Sequence, residues 1–385
     1  MEKYQFILST LFRSAQQETF RGYDPYDGLH VQNSWGRFLL SSSLSRLLLI
    51  HLNKRLIFNI RPLLGVHKGV NPKGVALFLS GLIRQNHLEE ATALAETLIN
   101  MNTRKARHTA WGYYFPWQSR AFFLPADTPN IVTTCFVASA LLDLHEAKPD
   151  GKLLEVVKDA IEFIINELNR YEDESGICFS YSPLDDSVIY NASAFGLELI
   201  ARFQHITGHN DDKRGQLLEK GVRFLKAAQN PDGSWFYGKQ LRQHFIDHYH
   251  TAYILESLEN IRRYTNDRFG LDEVISEGLD FYLTHLFTND HAPKFYKNSL
   301  YPIESHCCGA AIKALCLLSA HYGASLLEQA VRVAQWAIDH LYDSRRGFFY
   351  YQKRKFWTNK IKYLRWSQSW MYVGLSYLID YAGKN

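Results

Sequence analysis

The sequence predicts an all-α chain closed as an (α/α)6 toroid, six helical hairpins arranged as an inner and an outer ring. Three observations predict it. The same order of parts recurs along the chain: an amphipathic helix, a turn with Gly and aromatic residues, a polar stretch, and a second helix rich in small residues. Within each pair the first helix carries the charge and the second carries Ala, Gly, Ser and Cys, so the second helices can approach one another closely and form the inner ring. No segment alternates apolar and polar residues strongly enough to argue for a sheet, although the turns have room for short strands.

In chain order, "GYDPYDGLH" holds the turn residues Asp, Pro and Gly and reads as a loop. Residues 1–36 are expected to form an N-terminal extension near the funnel mouth, within one toroid domain that takes the whole chain, 1–385. The first hairpin is read as "RFLLSSSLSRLLLIHL" followed by "GVHKGVNPKGVALFLSGLI", and the second as "HLEEATALAETLINMN" leading through "AWGYYFPWQS" to "NIVTTCFVASALLDLHE". Both fit loosely, as terminal repeats do. Four clear units follow. They run from "LLEVVKDAIEFIINELNR" to "YNASAFGLELIARF", from "LLEKGVRFLKAAQN" to "DHYHTAYILESLENI", from "DEVISEGLDFYLTHLF" to "ESHCCGAAIKALCLLSAHY", and from "LLEQAVRVAQWAIDHLY" to "LRWSQSWMYVGLSYLIDY". The turn glycines Gly176, Gly233 and Gly347 keep a period of ~55–60 residues, too long for the common helical solenoids and right for two helices plus a functional loop. Inner helices should start near Gly74, Thr133, Asn191, His250, His306 and Ser367, all at one end, where converging helix dipoles favour anions.

Composition narrows the function classes. The 385 residues are 46% hydrophobic and 21% charged, ample for a large core. The net charge is +4 and the basic residues are scattered, so nucleic acid is not an expected partner. Aromatic residues, at 14%, exceed what a core requires, and Tyr and Trp line polar clefts and stack on flat ligand faces. Five cysteines without a regular framework fit a reducing compartment, and "MEKYQFILSTLFRS" lacks the parts of a signal peptide, so a cytoplasmic location is expected. The most apolar stretch, "FLLSSSLSRLLLIHLNKRLIFNI", carries Arg46, His51, Lys54 and Arg55 and cannot supply a span of ~20 apolar residues. It reads as an amphipathic core helix, and a membrane-surface role is not expected.

The candidate chemistry lies at the inner-helix starts. Asp247 and His250 are three apart and share a helix face that Tyr253 continues, with Tyr249 beside them as a further substrate contact. A carboxylate on an imidazole raises its basicity and fixes its tautomer; alternatively Asp247 is only a helix cap. Glu304 and His306 hold the corresponding place one repeat later, so two carboxylate–histidine pairs are expected to face each other as acid/base groups. In the last repeat Arg365, Trp366 and Gln368 are expected to bind substrate, the Arg by gripping a carboxylate or phosphate and the Trp by stacking. Tyr23, Asp24 and Trp111 are further substrate-binding candidates from the N-terminal loop and the second unit. The cysteines of "SHCCGAA" lack ligand spacing, so no metal and no cofactor are expected.

"NPDGSWFYG" with "DHYHTAYILESL" resembles the repeats of terpene cyclase and protein prenyltransferase toroids. That resemblance implies the fold and not the chemistry, because the Asp-rich motifs of those enzymes are missing. "YDPYDGL", "IDHYHTAY", "YPIESHCCGAA" and "RWSQSWM" together resemble the VpsJ-like polysaccharide biosynthesis proteins of bacterial exopolysaccharide clusters, with Glu304 and Cys307 where that family's pattern suggests Asp and Ser. The resemblance implies a carbohydrate partner, an oligo- or polysaccharide with or without uronate. The expected function is a carbohydrate-active enzyme working by hydrolysis, uronate elimination or epimerisation. A non-catalytic glycan-binding or scaffold protein is the alternative, and a prenyl or terpenoid enzyme is disfavoured.

Overall fold

Alternating charged and small-residue helices leave one way to bury both: the small-residue helices inside, the charged ones around them. The computed structural model describes residues 2–33, 40, 42–119, 122–208 and 212–383. Its helices are α1 (Glu2–Gln17), α2 (Ser43–Arg55), α3 (Pro72–Arg84), α4 (Leu88–Asn100), α5 (Ile131–Ala147), α6 (Gly151–Asn166), α7 (Tyr190–Thr207), α8 (Asp212–Ala227), α9 (His248–Tyr264), α10 (Asp272–His285), α11 (Ser305–Tyr322), α12 (Ser325–Leu341) and α13 (Ser369–Ala382). The inner helices α3, α5, α7, α9, α11 and α13 each pack on the next, and α13 packs back on α3, so the ring closes. The fold is the expected (α/α)6 toroid.

Burial follows ring position. The outer helix α6 buries Leu153, Val157, Ala160, Ile161 and Ile164, a single stripe at helical spacing. The inner helix α7 is buried all round from Tyr190 to Gln204. Close approach needs glycine at the tightest seam. A Cβ on Gly309 of α11 would lie 2.4 Å from the Trp370 carbonyl oxygen, and one on Gly374 of α13 would lie 2.7 Å from the Gly309 carbonyl oxygen, so these helices meet backbone to backbone. The turn glycines Gly176, Gly233 and Gly347 all have positive φ, at 135°, 82° and 70°, which explains why the repeat places Gly there.

The first hairpin differs from expectation. Its outer helix is α1, not the "RFLLSSSLSRLLLIHL" segment. Ile7, Leu8, Leu11 and Ala15 enter the main core, and Phe12 packs near Phe78 and Tyr372 at ring-centroid distances of 6.5 and 6.1 Å. Residues 2–17 are therefore part of the outer ring, and what reaches the mouth is the segment around Tyr26, while residues 34–36 of the expected extension lie outside the described residues. Helix α2 instead crosses the funnel end, packing on the Asp27–Leu29 turn and the Trp117–Gln118 strand. Leu49 and Ile50 join Leu29, Val31, Leu64 and Val66 in a second, smaller core there. The reason is stripe geometry. The apolar positions of α1 fall on one face, whereas the leucines of α2 run round it, with Leu44 and Leu48 exposed. Among the described residues no helix is long and apolar enough to cross a membrane.

Two glycines test the ring closure. Gly309→Ala should cost ~1–3 kcal/mol, because the added methyl meets backbone that cannot turn aside. Gly215→Ala on α8, where a Cβ meets nothing within 4 Å, should stabilise by ~0.5–1 kcal/mol. Urea unfolding of the two variants reads both, and equal stability for them would contradict the seam.

Candidate active site

The inner helices begin at one end of the barrel, and their first turns surround a cavity of about 230 Å3 covered by α2. Polar caps fix several of these starts. Asn71 caps α3 by accepting from the Lys73 amide, Asn130 caps α5 by accepting from Thr133, and Asp247 caps α9.

Asp247 does two jobs. Its Oδ1 accepts the His250 backbone N–H at 3.0 Å while its Oδ2 holds His250 Nδ1 at 2.7 Å. The cap and the carboxylate–imidazole pair are therefore one arrangement. With Nδ1 donating to the carboxylate, His250 keeps Nε2 as the acceptor, and that atom has no protein partner among the described residues. The two neighbouring histidines are doing something else. His248 is fully buried outside the cavity, its Nδ1 donating to the Leu286 carbonyl at 3.1 Å and its Nε2 accepting from the Tyr282 hydroxyl at 2.6 Å; burial lowers its pKa to about 3. His244 stacks on Phe236 at 4.4 Å and bonds the Lys239 carbonyl.

His306 on α11 is fully buried, with Nε2 2.5 Å from the Tyr253 hydroxyl and Nδ1 without a partner among the described residues. Burial, and then the charges of Lys73 and Arg365, push its pKa well below the ordinary value, while burial pushes the Tyr253 phenol well up. Both groups are neutral. The Tyr249 ring lies between the two imidazoles, 4.2 Å from that of His250 and 4.6 Å from that of His306. Trp366 adds an aromatic wall 4.0 Å from His306 and 5.0 Å from Tyr26.

The remaining expected residues fall elsewhere. Glu304 does not touch His306. It ends the short strand Ile303–Glu304, which pairs with Gln352–Lys353, and its carboxylate accepts Trp366 Nε1 at 2.8 Å behind the cavity wall, where burial raises its pKa. Arg365 lines the cavity, but its fork is filled by Asp24, with Nε–Oδ2 at 2.5 Å and Nη2–Oδ1 at 2.7 Å. Asp24 is thereby a buried anchor. Gln368 bonds both the amide and the carbonyl of Phe349, at 2.8 and 2.7 Å, and stays outside the cavity. Trp111 is core, its Nε1 donating to the Leu98 carbonyl at 2.7 Å, and Tyr23 bridges to Tyr363 away from the lining. Lys73, and His51 and Lys54 from α2, line the cavity and were not singled out from the sequence. Lys73 had a signal, because "NPKG" begins the first inner helix with the lysine two residues after the cap, the place that His306 holds in its helix and one residue before that of His250. Among the described residues no three His, Cys, Asp or Glu side chains group as metal ligands, and Cys307 and Cys308 are buried packing residues whose thiols burial pushes up.

No protein-family model matches the chain, and no curated protein matches it. Solved structures do. A sugar epimerase from a ruminal bacterium aligns with a TM-score of 0.61 at 12% identity over 83% of this chain and 90% of its own. An unsaturated glucuronyl hydrolase specific for heparin aligns with a TM-score of 0.63 at 13% identity over 100% and 96%. A GH76 α-mannanase from Bacteroides thetaiotaomicron aligns with a TM-score of 0.60 at 14% identity over 82% and 86%. At these identities the likeness is one of fold.

The two buried neutral histidines set a pH dependence. Their folded pKa values lie below the unfolded value, so the unfolded state binds more protons in acid and stability falls as pH drops below about 6.5, by up to ~1.4 kcal/mol per pH unit for each group. Thermal melts from neutral pH down to about pH 4.5 should show this loss, and His248→Gln should flatten it. A profile unchanged in that variant would remove His248 from the acid lability.

Proposed function

We propose that this protein is a carbohydrate-active enzyme that transfers a proton at a sugar carbon, in an epimerisation, isomerisation or elimination. One observation carries the reading: two imidazoles meet one cavity in opposite settings, His250 tied to a carboxylate and His306 neutral and hydrogen-bonded to a phenol. A group that takes a proton and a neutral pair that can deliver one are what such a reaction needs. Hydrolysis is less well served. It calls for two carboxylates flanking the glycosidic bond, and among the described lining residues Asp247 is the only carboxylate, with both oxygens engaged. In this reading His250 Nε2 removes the proton, the Tyr253–His306 pair returns it, and Trp366 stacks on the sugar. The solved neighbours named as a sugar epimerase and a glucuronyl hydrolase support a carbohydrate substrate. The motif resemblance to VpsJ-like proteins supports a place in bacterial exopolysaccharide metabolism, and five cysteines that are all free and buried fit a cytoplasmic setting.

A glycan-binding role is the second reading, favoured by a cavity wall in which Phe, Tyr and Trp outnumber the acidic, basic and histidine side chains. Deuterium separates the two. Incubation with reducing sugars and uronates in D2O, followed by proton NMR, should show solvent deuterium entering a single carbon position of the true substrate. Asp247→Asn, which keeps the cap, should shift melting by only a few degrees and slow that exchange by at least ~100-fold. Saturable sugar binding with no exchange would leave the binding role.

A further inference from the structure

We propose that Lys73 anchors a substrate carboxylate, so that the sugar this cavity accepts is a uronate. The inference rests on the carbohydrate reading above and adds the chemical class of the substrate.

The cavity's charges are unevenly satisfied. Asp247 is held by His250, Arg365 is forked onto Asp24, and Lys54 donates to the Tyr26 hydroxyl at 2.9 Å. Lys73 differs. Only 3% exposed, it lines the cavity with its Nζ 4.0 Å from the ring centroid of Phe136, 5.2 Å from that of Tyr253 and 5.4 Å from that of Trp370. Among the described residues no acceptor and no carboxylate pairs with that nitrogen. Asp24 and Glu256 act on it only at longer range, and each already holds another cation, Arg365 and Lys313 respectively. Burial, with Arg365 and Lys313 as neighbouring positive charges, lowers its pKa well below the usual lysine value. Aromatic faces partly compensate an ammonium but do not by themselves keep so buried an amine protonated, which takes a counter-ion. A carboxylate arriving with the substrate supplies one.

The place of the amine adds a consequence. Lys73 and His306 both lie against Tyr253 and Trp370, so a carboxylate on Lys73 sits beside the Tyr253–His306 pair. In a uronate the proton on C5 is α to that carboxylate, and the ammonium stabilises the charge that develops when it leaves. Removal from one face and return to the other breaks one C–H bond and makes one, with no co-reactant.

Titration calorimetry of glucuronate and galacturonate, each against its neutral amide, tests this on the intact protein. Expected is at least ~10-fold tighter binding of one acid than of its amide. Lys73→Met and Lys73→Gln should both erase that preference with amide affinity kept, whereas Lys73→Arg keeps part of it. Equal affinity for acid and amide in the unaltered protein, no saturable binding of either acid, or a preference that survives in a folded Lys73→Met or Lys73→Gln protein would each overturn the proposal. Failures of the two readings look different. Lys73-dependent uronate binding without deuterium exchange sinks proton transfer and leaves this anchor; exchange into a neutral sugar with no acid preference does the reverse.

Discussion

The fork between Arg365 and Asp24 is the contact on which the rest of the funnel depends. The last inner helix enters through a π-helical turn, Leu364–Gln368, that presents Arg365 inward, and a Cβ on Gly74 of the first inner helix would lie 3.2 Å from the Arg365 Cα. The seam between the two ends of the ring is therefore also where the N-terminal loop is fastened. Asp24 is buried with Asp27, whose Oδ1 pairs with the fully buried Arg61 at 2.5 Å, and the same guanidinium donates to the Asp24 carbonyl at 2.7 Å. Losing one partner of such a pair costs ~3–5 kcal/mol, because the other charge is left buried and alone. These two pairs hold Tyr26 against Trp366 and over the cavity.

That closure sets the electrostatics of the site. Side chains buried in the wall of this cavity feel one another's charges more strongly than they would in water. The same ring then sits in two different settings: His250 is held by a carboxylate one turn back, while His306 is buried, with the cations Lys73 and Arg365 across the bore. Helix starts contribute in the same sense, since inner helices point N-termini towards the mouth.

Much of this was legible in the sequence, and what was not has a physical cause. The inner-helix starts near Thr133 and His250 could be read because side-chain caps are local requirements, and those near Asn191 and His250 because a positive-φ glycine, Gly176 or Gly233, marks the turn before each. Asp247 and His250 were paired from spacing alone, since three residues on a helix always meet. Glu304 could not be placed that way. Its direction is set by strand pairing with Gln352–Lys353, a contact between distant parts of the chain. Arg365 reads from the sequence as a fork for a carboxylate or phosphate, and in the structure Asp24 occupies that fork, a partner that reaches it only once the ring has closed.

Helix α2 shows the limit of periodicity most plainly. A segment with leucines all round it reads as core, and in this fold it has instead two jobs that both use apolar residues: Leu49 and Ile50 build a small core of their own, and Leu47 and Ile50 line the cavity. Its last turn is fixed from outside the helix, where the Gln352 and Asn359 side chains donate to the Lys54 carbonyl at 3.3 and 3.4 Å and Asn359 also reaches the Leu56 carbonyl at 2.9 Å. Those two donors belong to the hairpin that also pairs with the Glu304 strand. One short sheet thus orients the cover of the cavity and turns Glu304 out of it, so the place of Glu304 behind the wall and that of Lys54 in the lining have a common structural origin.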